Sequence, residues 1–544
     1  MLITYLGHAG FCVETSRVTV VMDPWLSSTG AFDCSWFQLP RNHYLASPVE
    51  QKLADSGKER FLYISHEHKD HFDIDYLRSL ACRDFTIVVP RFRRDALRTM
   101  LADYGCRGVI SCADEEVVPI PEGFLKLYVD DSELNRDSAI LIEADGQKFL
   151  NINDCKLYDR IPSIGHQHGQ PAVFASQFSG ATWHPTCYEF PREKYETVSR
   201  KKLSSKFEAV ARCIDTLQPG AYIPSAGPPC FLDPRLMHLN FEPVNVFPRA
   251  PRLLKFLHGR LRHTGTMLTE MMPGDVLDSA TGELTFCARD RLCEDGFVNY
   301  ISAYAEEFAP LFQSRMEMTR HIDAEEVFLR LQRELERKLE PLRLLNEVPT
   351  PLYFFLEEVT GKALRVDFTE RKVGISDSVL PPTGFYSITA PAWQLVPVLD
   401  GRMTWEDFAL TFRVRLKRQP DMYHTMLNGF LFMEAQDIAE FCESLARMKE
   451  PQDRTPVSAG GYTYLVDRYC PHQHGDLTEG WVEQDRYLVC PRHGWKFDLA
   501  NHGRCTSNAT TINAVCTAPA SSSNANNLAL QTSCVAAHEL SHLD

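Results

Sequence analysis

The 544 residues, at a soft prior of about 150 per domain, allow three to four domains rather than one core. With 44% hydrophobic and 24% charged residues the composition is that of folded globular protein, which excludes a largely disordered, collagenous or disulfide-dense chain. The 57 basic residues against 72 acidic ones leave a net charge of −15, disfavouring non-specific attraction to nucleic acid or anionic lipid.

The opening MLITYLGHAGFCVET alternates apolar with small or polar residues and reads as a strand, not as a secretion leader. No run of about 18 apolar residues occurs, so no membrane span is expected. The 17 scattered cysteines are expected to be mostly reduced thiols of a cytoplasmic protein. Apolar runs over 18–22, 61–64, 86–89 and 139–143 predict strands, and Ala144-Asp145-Gly146 predicts the turn of a hairpin spanning 139–153. Helices are expected over 76–80 and 91–101, giving α/β layering. The Pro-, Gly- and aromatic-rich stretches FSGATWHPTCYEF and IPSAGPPCFLDP predict long structured loops around a site.

Farther along, Phe328, Leu331, Leu335, Leu339, Leu342 and Leu345 recur at three- and four-residue steps after Asp323 and Glu326, predicting a capped amphipathic helix over 323–345. Residues 351–450 read as mixed α/β, ending in a helix over 437–448, with no visible cluster of chemistry. PQDRTPV at 451–457 reads as a linker into a short β-rich module. From 506 onward only Glu539 and Asp544 are charged, the composition of a tail.

Two constellations carry chemistry. In Cys470-Pro-His472 and Cys490-Pro-Arg-His493, two thiolates and two imidazoles admit either a Cys2His2 zinc site or a 2Fe-2S cluster with Cys on one iron and His on the other. Each half has one Cys and one His in a Pro/Gly turn, which suits opposed loops enclosing a cluster. The whole stretch, CPHQHGDL then CPRHGWKFDLANHGRC, resembles the Rieske family. That resemblance implies that Cys470 and Cys490 ligate one iron and His472 and His493 the other. His474 falls outside the pattern and is expected to serve as a loop residue.

The second constellation, His66-Glu67-His68-Lys69-Asp70-His71, follows the 61–64 strand, where a tight turn can converge three imidazoles and a carboxylate on one or two ions. The H-x-H-x-D-H string resembles the metallo-β-lactamase fold signature, and GHAGF, MDPW and FLNINDC resemble that family's other strand ends. The resemblance implies metal ligation by His66, His68, Asp70, His71 and Asp154, with Asp70 and His71 also the catalytic candidates. The stretch YVDDSELNRDSA has no histidine for the family's third motif, and Asp131 stands in for it. For the last motif His238, His258 and His263 remain alternatives. Asp23 and His8 are expected near the same sheet end, as ligands or as partners of ligands. An oxygen- and nitrogen-rich set suits iron.

The pairing of the two resembles the CMP-N-acetylneuraminate hydroxylase family and related bacterial natural-product hydroxylases, with the Rieske module here after the catalytic domain rather than before it. The implied class is α/β: a metallo-β-lactamase-like αββα sandwich (1–300), a helical and mixed α/β segment (301–455), a small all-β Rieske domain (456–512) and a disordered tail (513–544). The implied activity is an O2-dependent monooxygenase. An external reductase or ferredoxin feeds the Rieske 2Fe-2S cluster, which feeds one or two non-heme irons that hydroxylate a small-molecule or carrier-linked substrate. A homo-oligomer is compatible with this reading. A zinc-dependent hydrolase with an accessory Rieske domain is the alternative, and a redox carrier without turnover the third.

Overall fold

The N-terminal strands are continuous apolar runs because both of their faces are buried. In the computed structural model, which describes residues 1–519 apart from 95, 133, 134, 181, 264, 344–347, 349, 449, 451 and 509, Val18, Val20, Met22, Phe61 and Tyr63 face an inner core while Val21, Leu62 and Ile64 face an outer one. This is the two-residue period of a strand. Eight strands form the first sheet, in the order Leu284–Thr285, Val276–Asp278, Leu2–Gly7, Gly10–Glu14, Val18–Met22, Glu59–Tyr63, Thr86–Pro90 and Gly108–Cys112. The last four run parallel.

A second sheet of seven strands contributes Leu125, Leu127, Ile140, Ile142, Phe149 and Ile223 to the same inner core. Its central members are the hairpin Gly123–Ser132 and Asn135–Ala144, then Gln147–Asn151, Val173–Gln177 and Ala221–Ser225. The expected turn at Asp145-Gly146 joins two of these strands, with both residues at positive φ. Helices Ala46–Ala54 and Ile74–Ser79 cover the first sheet, and Arg192–Leu217 and Ala250–Arg260 cover the second. The result is an αββα sandwich. The helix expected over 91–101 is shorter, Ala96–Leu101, because Arg91 continues the strand by donating its N–H to Cys112 O (2.6 Å).

The middle segment does not form a core of its own. Its five-stranded sheet and the helix Ala324–Leu339, N-capped by Asp323 as expected, share one apolar cluster with Trp25, Phe32, Trp36, Trp183 and Phe231 from the loops of the sandwich. Helix Phe297–Thr319 likewise packs Ile301, Tyr304 and Phe312 on Phe37, Cys230 and Leu232.

The C-terminal module is all-β, with sheets of three and four strands. Strand Val515–Pro519 pairs with Tyr462–Asp467, so the module extends past 512 and residues 515–519 are strand rather than tail. The remainder of the expected tail, from 520, lies outside the described residues. Among the described residues no helix is long and apolar enough to cross a membrane.

Candidate metal centre and cluster site

The first site forms where parallel strands release their chains at their C-terminal ends. Asp23 follows Val18–Met22 at a left-handed φ of 41°, which turns its carboxylate back over the sheet edge. Oδ1 accepts the Ser65 N–H (2.8 Å), and Oδ2 accepts Ser65 Oγ–H (2.6 Å) and pairs with His71 Nδ1 (2.8 Å). With Nδ1 engaged, His71 directs Nε2 inward, 3.4 Å from Asp154 Oδ1 and 3.8 Å from Asp70 Oδ2. His8 Nε2 holds Asp70 Oδ2 at 2.9 Å. His66 Nε2 and His68 Nδ1 lie 2.8 Å apart, and His66 Nδ1 lies 3.2 Å from Asp137 Oδ1.

Two sets of ligand atoms gather within 4.8 Å: His66, His71 and Asp154, and His8, Asp70 and His71. They share His71, so the cradle offers two adjacent foci. Asp70 Oδ1, His71 Nε2 and Asp154 Oδ1 are buried without a hydrogen-bond partner. Buried polar atoms are normally satisfied. Three orphans aimed into one N/O cradle fit one or two hard or borderline cations such as iron.

The electrostatics are those of a cation site. Burial, then His71, holds His66 down at about 4. Burial opposes ionisation of Asp154, but His71, His66 and His68 outweigh it and keep the carboxyl below its usual range. Burial and then Asp154 raise Asp137. For His68 burial disfavours the cation, yet its bond to Glu406 (Nε2–Oε1 3.3 Å) pushes it up to about 9.

The structure brings together His66, His68, Asp70, His71 and Asp154. Asp131 does not join them; its Oδ2 accepts the Arg93 backbone N–H (2.7 Å), and Asp137 on the facing strand occupies the position beside His66. His238 and His258 are solvent-exposed, and among the described residues neither they nor His263 belong to either set. His8 supplies the extra imidazole: where Ala221–Ser225 ends, Ala226 donates its N–H to His8 O (2.8 Å). The middle segment, read as free of chemistry, contributes Glu406. Arg136 steadies it from between Glu67 (2.7 Å) and Glu406 (3.5 Å).

The second site consists of two loops with the same construction. Cys470 N–H donates to Gly475 O and His474 N–H returns to Cys470 O; Cys490 N–H donates to Trp495 O and Gly494 N–H returns to Cys490 O (2.8–3.0 Å). The fifth residue of each turn is left-handed, His474 at φ 54° and Gly494 at 68°. That is the role of His474, whose ring also stacks on Tyr469. Cys470 and Cys490 are buried and share a side-chain hydrogen bond; burial pushes the Cys470 thiol up while that bond holds Cys490 down. The His472 and His493 rings lie 4.6 Å apart. Burial keeps His472 at about 3 and His493 well below its ordinary value, so both are neutral, the form that ligates metal. His472 Nδ1 and His493 Nε2 are buried and unpartnered. Two thiols and two neutral imidazoles fit the ligand set of a 2Fe-2S cluster of the Rieske kind.

Both sites line one cleft of about 3070 Å³. Arg492, inside the second loop, bridges the domains. Its Nη1 meets Asp130 (3.1 Å) and its Nε meets Asp159 (3.0 Å), all three side chains being at most 9% exposed. Asp159 also accepts the Asp476 N–H (3.0 Å). Asp130 is the cross-strand partner of Asp137. Tyr423, from the middle segment, packs edge-on against His472 and Trp495, while Trp495 stacks on His472.

Residues 448–518 match the Rieske 2Fe-2S domain and residues 2–127 the beta-lactamase superfamily domain. A protein of Mycolicibacterium smegmatis described as a Rieske 2Fe-2S iron-sulfur protein is 29% identical over 533 residues, covering 93% of this chain and 98% of its own. The cytidine monophosphate-N-acetylneuraminic acid hydroxylase of Cricetulus griseus is 28% identical over 240 residues, covering 41% of this chain and 39% of the hydroxylase. Among solved structures, CmlA, a diiron beta-hydroxylase from Streptomyces venezuelae, aligns over 50% of this chain and 53% of its own with a TM-score of 0.32 and 14% identity. The chain joins a metallo-β-lactamase-fold domain of the beta-lactamase superfamily to a Rieske 2Fe-2S domain, and its homologues include hydroxylases.

Proposed function

We propose that this protein is a Rieske-coupled non-heme iron monooxygenase that hydroxylates a small-molecule or carrier-linked substrate. When bound, the metals supply the redox chemistry: the 2Fe-2S cluster passes single electrons and the iron at the His66–Asp154 cradle reduces O2. One O2, two electrons and two protons convert a C–H bond to C–OH and release one water. The electrons come from an external reductase or ferredoxin. The observation that carries this reading is the common cleft, lined by His66, His68, Asp70 and Asp154 and also by His472, His493 and Trp495 of the same chain.

The chain's own groups position ligands and exclude water. Asp23 and Ser65 lock the His71 ring, His8 fixes Asp70, and Glu406 orients His68 from the side away from His66. Such outer partners set ligand orientation and basicity. Asp137 lies 3.2 Å from His66 and lines the cleft beside the cradle. Phe32 and Trp36 wall the cleft beside His68 with apolar surface.

The test is single-turnover reoxidation. With the cluster chemically reduced and the donor removed, O2 should reoxidise it much faster in the wild type than in His68→Ala of equal cluster content. Equal rates in the two proteins would show that electrons do not leave through the cradle. Iron content adds a second check, because zinc in the cradle with no iron beyond the cluster would favour hydrolysis instead.

A further inference from the structure

The acidic chain has a cleft of opposite character: its walls carry 13 Lys and Arg against ten Asp and Glu, and three of the ten belong to the metal cradle. Within it, three lysines stand apart. Most other enclosed lysines face a carboxylate, as Lys52 and Lys58 do with Glu14 and Lys126 with Glu115. Among the described residues Lys156, Lys202 and Lys206 form no ion pair. Lys202 Nζ donates to His184 O (2.6 Å) and Lys206 Nζ to Gln177 Oε1, both neutral acceptors.

Their placement is specific. Lys202 and Lys206 lie one turn apart on the Arg192–Leu217 helix, and Ser205 on the same stretch touches the second cluster loop, where a Cβ on Gly494 would meet its Oγ at 2.5 Å. Gln177, which receives Lys206, donates its own N–H to Asn153 O (2.7 Å), the residue before Asp154. Lys156 lies two residues beyond Asp154 and is the strongest like-charge neighbour of both other lysines. All three lysines line the cleft that the metal cradle and the cluster loops share.

We propose that Lys156, Lys202 and Lys206 form a binding site for an anionic group, a phosphate or a carboxylate, through which the substrate is held between the two centres. As a substrate handle the site rests on the hydroxylase reading; as an anion site it does not. Burial, then Lys156, lowers Lys202 and Lys206 each to about 7, with Asp154 and Asp137 offsetting this only in part at Lys206, so neither cation has a counter-charge in contact. An arriving anion supplies that charge and three sets of N–H donors. Tyr158, Trp183 and Phe432 on the same walls offer apolar surface for the rest of the molecule.

Calorimetric titration of the holoprotein with inorganic phosphate and, separately, with acetate at constant ionic strength tests the site. Saturation by phosphate assigns a phosphorylated substrate, and saturation by acetate alone a carboxylated one. Lys202→Met and Lys206→Met should each weaken binding by about 10- to 150-fold, the loss of one charge-assisted hydrogen bond, with cluster and iron spectra unchanged. Lys372→Met, at an exposed position, should bind as the wild type does. Binding of neither anion, or binding indifferent to both cleft variants, overturns the proposal. A second measurement needs no variant: acetic anhydride labelling of the wild type, read by peptide mass spectrometry, should slow at Lys202 and Lys206 but not at Lys372 when the saturating anion is present, and uniform labelling overturns the site. Anion binding without cradle-dependent reoxidation of the cluster leaves the site and removes the hydroxylase reading; the converse removes the site alone.

Discussion

Arg492→Met removes the cation that joins the cluster loop to the sandwich. The guanidinium is 9% exposed, Asp130 4% and Asp159 3%, so the substitution removes the cation that two buried carboxylates share. Breaking a buried pair in this way costs about 3–5 kcal/mol. At a urea m-value of about 2 kcal/mol/M, the transition that releases the Rieske module should move down by about 2 M. Urea titration followed through the cluster's visible circular dichroism reads that transition, and the far-ultraviolet signal reads the rest of the chain. Arg492→Lys, which keeps the charge but loses the fork, should fall between the two. Cluster reoxidation by O2 should slow in Arg492→Met at denaturant concentrations where the cluster itself is intact. A midpoint shift below about 0.5 M, near 1 kcal/mol and typical of an exposed pair, would refute the reasoning.

Asp23→Asn keeps the shape but weakens the hold on His71 Nδ1, and should lower iron affinity of the cradle about 10- to 100-fold, read as iron retained after a chelator challenge. Gly494→Ala adds a Cβ at φ 68° and 2.5 Å from Ser205 Oγ, so it should destabilise by more than the ~1–2 kcal/mol of left-handed strain alone; Ser205→Gly in the same chain should recover the excess in a melting experiment. Lys338 is fully buried, and burial, only partly opposed by Glu434 and Glu334, lowers it to about 7 from 10.5. Between those values the unfolded chain binds the extra proton, so stability rises with pH across the window by up to about 1.4 kcal/mol per unit. Urea titrations at several pH values should show that rise reduced in Lys338→Met.

What the sequence disclosed is what lies close together along it. His66 to His71 share one turn after one strand, and each Cys–His pair of the second site sits within one loop, so spacing alone carries the geometry. Asp137 and Asp131 were not separable in that way. They lie on opposite strands of one hairpin, in the charged run DDSELNRD, and register there pairs Asp131 with Arg136 and Asp130 with Asp137. Without apolar alternation nothing in the run marks which face is buried. Glu406 and Tyr423 reach the sites from the middle segment through tertiary packing, more than 300 residues from His68 in one case. His8 is expected from the sequence as a ligand or a partner of one, but which group it meets is not legible there, because its partner Asp70 is 62 residues away.

The hairpin that pairs Asp130 with Asp137 gives one backbone register two duties: one strand grips the cluster loop through Arg492, and the other faces His66. The separation between the centres is then set when the chain folds, not at each encounter between molecules. Transfer from cluster to cradle is expected to be first order and indifferent to dilution, and mixing a chain lacking the cluster with one lacking the cradle should not restore it.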